Sequence, residues 1–139
     1  RLVTVDPLPY PELEGLVALV SALARLRLRE NAHFFLGRSS DLRHWAGRQF
    51  RLALVDGAHD VEAVRADVAN VAALVQFGGA ILMHDVDEAH PGVMAVWEEA
   101  DGAGVVAGAR LRRERIVGSL GLVRVLDSEH VGAGRIDSC

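Results

Sequence analysis

Cysteine is all but missing from these 139 residues: the only one, Cys139, is the last residue, so no disulfide can form within the chain. Such a chain must be held by its core, and a reducing compartment, the cytoplasm, is its expected home. Lysine is absent altogether, all 15 basic residues being arginine. Aromatic residues make up only 5% and the net charge is −4. That combination argues against nucleic acid, which asks for a basic surface interleaved with stacking rings. No apolar run approaches the roughly 20 residues of a membrane span, and no basic-then-apolar leader opens the sequence. Neither nucleic acid nor membrane is therefore an expected partner. An initiator methionine is lacking too, and Arg1 leads straight into an apolar run, so a processed or shortened start is expected.

What is present is the balance of an ordinary globular domain, 50% hydrophobic and 24% charged. At this length folding buries about two thirds of the surface that the unfolded chain exposes, enough for a core without cross-links. Residues 1–127 are expected to form that domain and 128–139 a flexible tail. Charge is uneven, +3 up to Val55 and −7 from Asp56 onward.

Periodicity divides the chain into alternating strands and helices. Arg1 to Val5 reads as a strand stopped at Asp6-Pro7, and apolar residues from Leu13 to Ala24 repeat at helical spacing over Glu12 to Arg29. A short strand is expected over His33 to Gly37, a helical turn over Ser40 to Ala46, and a buried strand over Phe50 to Val55. Val61, Val64, Val68, Val71 and Val75 then fall on one helix face, with Asp60 as N-cap and Gly78-Gly79 as the left-handed exit. Ala80 to Met83 reads as a further buried strand, Pro91 opens a helix to about Ala100, and two strands around Gly118-Ser119 close a hairpin. Such alternation means βαβ units in an α/β sheet, whose ligands bind at the carboxyl ends of the strands.

Polar residues collect at that rim. Asp6 ends the first strand, Asp56 the third, and His84-Asp85 the fourth. Neighbouring strands lie about 4.8 Å apart, so Asp56 and Asp85 can aim carboxylates at one point. Two carboxylates so placed repel unless a proton or cation lies between them. A hard ion such as Mg²⁺ answers that repulsion, with His84 as a softer third ligand. His59, one turn away, is placed to take a proton. Each residue also has a plain structural reading, as a cap or a turn residue. Asp87 and His90 read as loop residues leading into the Pro91 helix. His33, His44 and His130 have no spacing partner, Trp45 and Trp97 are assigned to packing, and Gly132-Ala133-Gly134 has no helix after it to make a phosphate loop.

Taken jointly, Leu54-Val55-Asp56-Gly57-Ala58-His59, the helix residues Glu62-Ala63-Val64 and Asp67, and Gly78-Gly79-Ala80-Ile81-Leu82-Met83-His84-Asp85-Val86 resemble class I S-adenosylmethionine-dependent methyltransferases. The resemblance is to the small-molecule group that carries an Asp-Gly-x-His step and a Gly-Gly, strand, His-Asp step. It covers Arg1 to about Leu126. It implies a Rossmann-like, mostly parallel sheet with helices on both faces and an antiparallel C-terminal hairpin. It also implies that Asp6 holds the cofactor's ribose, that Gly37 to Ser40, with Ser39 and then Asp56, line the cofactor, that Asp56 and Asp85 hold Mg²⁺, and that His59 is the base. The family's first strand and Gly-rich loop precede Arg1 and are not in this sequence. Phe77 replaces a usual proline, and His84 stands where metal-dependent relatives carry an acid. The expected function is methyl transfer from S-adenosylmethionine to a hydroxyl of a small-molecule acceptor, with Mg²⁺ assisting. The alternatives are a catalytically silent half-domain that binds a partner or a second copy through its sheet edge, and a metal-dependent hydrolase using Asp56, Asp85 and His84.

Overall fold

The computed structural model describes residues 2–6, 21, 25, 32–36, 38–45, 47–102 and 104–127. The chain divides into two compact units, Arg1–Asp41 and Leu42–Cys139. In the first, β1 (Leu2–Asp6) pairs in parallel with β2 (Ala32–Leu36), Leu2 opposite Ala32 and Asp6 opposite Leu36. Ser21 and Arg25 are helical, as expected for Glu12 to Arg29. The rest of that expected helix, Gly37 and the expected tail 128–139 lie outside the described residues. After β2 a 3-10 turn runs over Ser39–His44, and Asp41 accepts a hydrogen bond from the Arg38 amide at 2.8 Å.

The second unit is a five-stranded sheet in the order β3-β4-β7-β6-β5. Its strands are β3 (Phe50–Val55), β4 (Val75–Met83), β5 (Val105–Val106), β6 (Ala109–Val117) and β7 (Leu120–Asp127). Its helices are α1 (Val61–Ala72) and α2 (Pro91–Glu99). β3 and β4 are parallel, joined by α1, while β4–β7, β6–β7 and β5–β6 are antiparallel. The expected hairpin is formed: Gly118 takes φ +61° at the first turn position, where a side chain would be strained.

Asp60 caps α1 as expected, accepting the Ala63 amide at 2.9 Å. Val64, Val68 and Ala72 face inward, but α1 ends there, and Val75 opens β4 instead of extending the helix face. The left-handed exit at Gly78-Gly79 is likewise corrected, since the helix closes on Ala73 in right-handed geometry. Both glycines lie within β4. There the register against β3 jumps from Phe50–Val75 to Leu52–Ala80, and Gly78 turns the extra residues with φ +81°. Leu74 explains the tight link, its carbonyl accepting the amides of both Gln49 and Phe50.

On one side of the sheet Val55, Ile81, Val123 and Leu111 form a core with Val64 of α1 and Val93 of α2. β7 shows the alternation of a half-buried strand, Gly121, Val123 and Val125 being buried and their neighbours less so. On the opposite face Leu54, Leu82 and Leu122 stand in register across three strands. No helix among the described residues is long and apolar enough to cross a membrane.

Candidate active site

The parallel pairing of β3 with β4 aligns their carboxyl ends, Val55 opposite Met83. One further ladder bond, the His84 amide donating to the Val55 carbonyl at 2.9 Å, sets Asp56 beside His84 and Asp85. Asp85 then takes φ +59°, which swings the chain out of the strand. The turn is pinned by buried Val86, whose amide donates to the Ser119 carbonyl at 2.9 Å, and by the Asp87 amide donating back to the Asp85 carbonyl at 3.0 Å. The strain is thus held in place by packing and hydrogen bonds around it.

Asp85 sits at the centre of the resulting cluster. Its Oδ1 lies 2.8 Å from His84 Nδ1 and its Oδ2 lies 3.1 Å from His59 Nε2. Asp56 Oδ1 is 3.6 Å from the same His84 nitrogen. His84 Nδ1 is shielded from solvent yet meets no acceptor along a hydrogen-bond direction, so its 2.8 Å approach to Asp85 is a close but poorly aligned contact. The Asp85 carboxylate holds the His84 pKa above its ordinary value, and His84 in turn holds Asp85 below the usual carboxylate range.

Four of the expected residues, Asp56, His59, His84 and Asp85, therefore meet on one rim. Asp6 and Ser39 belong to the first unit. There Asp6 is the last residue of β1 and Ser39 follows the end of β2, so both lie toward the carboxyl end of that parallel pair. His90 and Asp87 are added by the structure. The His90 ring meets the His59 ring edge-on, with centroids 4.4 Å apart at 62°, and His90 Nδ1 lies 2.9 Å from Asp87 Oδ1. A helical start at Pro91 was visible in the sequence, but nothing local pointed His90 at His59. The contact depends on Gly92, where a Cβ would collide with the His59 carbonyl oxygen.

Two overlapping donor sets result, Asp56 with His84 and Asp85, and His59 with Asp85 and His90, each with ligand atoms within 4.8 Å of one another. The first set fits a divalent cation: two carboxylates converge on a shielded nitrogen that lacks an aligned partner. Its imidazole makes it less purely a hard-ion set than Mg²⁺ prefers.

The solved structures place this architecture. A Corynebacterium glutamicum protein superposes with TM-score 0.67 at 17% identity, over 93% of this chain and 62% of that one. CalS11, a TDP-rhamnose 3′-O-methyltransferase of calicheamicin biosynthesis, gives 0.60 at 15%, over 89% and 57%. MycE, a methyltransferase of the mycinamycin pathway solved with Mg, SAH and mycinamycin VI, gives 0.59 at 15%, over 96% and 47%. Likeness at such identities shows the fold, a Rossmann-like α/β domain, and the chain spans about half to three fifths of these proteins' length. No curated protein matches the chain. Residues 1–86 match the family model described as a methyltransferase domain, and the chain belongs to that family.

Proposed function

We propose that the chain is the catalytic domain of a methyltransferase that moves the methyl group of S-adenosylmethionine to a hydroxyl of a small molecule. The observation that carries this reading is the meeting of His59 with Asp56, His84 and Asp85 at the carboxyl ends of adjacent parallel strands. Bound S-adenosylmethionine supplies an electrophilic methyl group, so the protein's task is to align the acceptor oxygen with it and remove a proton. Asp6, as an acid at the end of β1, is suited to the two ribose hydroxyls, and Ser39 follows the neighbouring strand. Asp85 Oδ2, 3.1 Å from His59 Nε2, keeps the ring N–H at that nitrogen, so His59 takes the acceptor proton at its other ring nitrogen and Asp85 stabilises the imidazolium so formed. A divalent ion held by Asp56, His84 and Asp85 would lower the pKa of the acceptor hydroxyl.

The test has two arms. Calorimetric titration with S-adenosylhomocysteine, with and without Mg²⁺, should show saturable binding, weakened by Asp6→Ala. His59→Ala should lower turnover by about 10²-fold or more while leaving that affinity unchanged. Equal turnover in the two proteins would remove the base role, and no binding by a folded chain would remove the cofactor reading.

A second reading, docking of a partner chain or a second copy along β3, is favoured by Leu52 and Leu54. These two side chains of an edge strand are 56% and 58% exposed. Docking of a second copy predicts a mass that rises with concentration in light scattering, and a constant monomer mass would reject that occupant.

A further inference from the structure

The second donor set is chemically unlike the first. We propose that His59, Asp85 and His90 bind a divalent ion of the zinc class through two imidazole nitrogens and one carboxylate oxygen. This goes beyond methyl transfer and does not depend on it, because the ion can be bound and observed with no methyl donor present; the two uses of His59 exclude each other, so the ion-bound state is one in which His59 does not act as base.

Three observations carry the proposal. The first is donor spacing. Zinc bonds to imidazole nitrogen and carboxylate oxygen are roughly 2.0–2.2 Å long, so two ligands of one tetrahedral ion stand roughly 3.3 Å apart. His59 Nε2 and Asp85 Oδ2 are already 3.1 Å apart, and His59, Asp85 and His90 each offer a ligand atom within 4.8 Å of those of the other two.

The second is the state of the His90 ring. Asp87 Oδ1 lies 2.9 Å from His90 Nδ1, and an ionised carboxylate there requires the ring to present its N–H at Nδ1. That tautomer leaves Nε2 with a free lone pair. A histidine whose far nitrogen donates to a carboxylate is the usual support for a metal-bound imidazole. Asp87 is itself fixed, its Oδ1 also accepting the Ala89 amide at 3.0 Å.

The third is positioning. His90 is the N-cap residue of α2 yet makes no side-chain capping bond, so its ring does not serve the helix. It stands instead against the His59 ring, at a distance set by the close approach of Gly92 to the His59 carbonyl. Three protein ligands leave a fourth position for water or another small ligand, and two nitrogens with one oxygen favour zinc, cobalt, nickel or iron over Mg²⁺. Binding is a ligation without electron transfer: the ion takes the lone pair at His59 Nε2, and any proton there passes to solvent.

The experiment is a titration of the tag-free chain with Co²⁺, followed by visible absorption and then by Zn²⁺ competition. Expected are one saturating equivalent with the intense bands of a four- or five-coordinate ion, bleaching by Zn²⁺, and no displacement by excess Mg²⁺. His90→Ser, which supplies a favourable N-cap and should keep α2 folded, should weaken binding about tenfold or more, and Asp56→Asn should leave it unchanged. Circular dichroism verifies the fold of each variant, and His59→Gln serves as a second probe should His90→Ser unfold. Absence of binding would overturn the proposal. So would binding that survives His90→Ser but is lost in Asp56→Asn, since that places the ion in the other set.

Discussion

Asp85 combines a strained backbone with close contacts to two histidines, and the two can be separated by substitution. Its φ of +59° disfavours any Cβ, by roughly 1–2 kcal/mol, whereas glycine accepts it freely at a modest entropic cost to the folded state. Asp85→Ala and Asp85→Gly remove the same carboxylate from His59 and His84 and differ only in that tolerance. Urea denaturation should therefore find the glycine variant more stable than the alanine variant by about 1 kcal/mol, both having lost the carboxylate that the two donor sets share. Equal stabilities would mean that the turn relaxes once the carboxylate is gone. The four rim residues were legible in the sequence for a simple reason: each follows a recognisable strand, and parallel neighbours align their ends. His90 was not legible, because it reaches His59 from across 31 positions through a backbone contact that only the folded core creates.

At the level of elements, periodicity located α1, α2 and the hairpin, and it failed where local pattern and tertiary demand diverge. Val75 keeps the helical spacing of Val61, Val64, Val68 and Val71, yet it is recruited to β4 opposite Phe50. Arg48 explains part of the abrupt change. Its Nη1 donates to the carbonyls of Ala72 and Val75 at 2.6 and 2.8 Å, its Nη2 to Ala107 at 3.0 Å, and its guanidinium stacks 4.1 Å from the Phe77 ring centre. A cation on the Ala72 carbonyl, the last of α1, also suits the negative end of the helix dipole. Arg48→Met keeps much of the stacking bulk and removes three hydrogen bonds, and should destabilise the chain by about 1–3 kcal/mol in urea denaturation. Gly92 offers a complementary test between α2 and the His59 loop. Gly92→Ala must push them apart, which should destabilise by about 1–3 kcal/mol and lengthen the His59–His90 contact. Loss of stability with Co²⁺ binding intact would show that this spacing does not govern the second donor set.

For the molecule as a whole, acid stability is set partly by the bulge in β6. Arg113 faces Val123 and Arg115 faces Leu122, so Glu114 is the extra residue, turned toward the Arg124 guanidinium. Arg124 meets both of its oxygens, at 3.0 and 2.8 Å, and its Nη1 reaches the Gly78 carbonyl at 3.1 Å, linking β6, β7 and β4. Arg124 first, and then Arg112, whose Nη2 lies 3.2 Å from Glu114 Oε1, lower the Glu114 pKa from 4.5 to about 2. A depressed carboxylate stabilises the fold above its unfolded pKa, and that contribution fades as pH falls from 4.5 toward about 2. Glu114→Gln should therefore melt at a lower temperature than the parent near pH 7, with the gap closing as pH falls through about 4 to about 2. A gap independent of pH would mean that the glutamate acts through packing and not through charge. The exposed face of the sheet makes a separate demand. Leu52 and Leu54 stand on the side of β3 opposite the α1 and α2 core, and Leu54 continues into Leu82 and Leu122. Such a row on an edge strand is a template for association, and a lysine within it places a charge where a partner would have to desolvate it. Leu54→Lys should abolish any rise of scattering mass with concentration while leaving the near-ultraviolet circular dichroism of Trp97 intact. Association undiminished by the lysine would move the contact elsewhere.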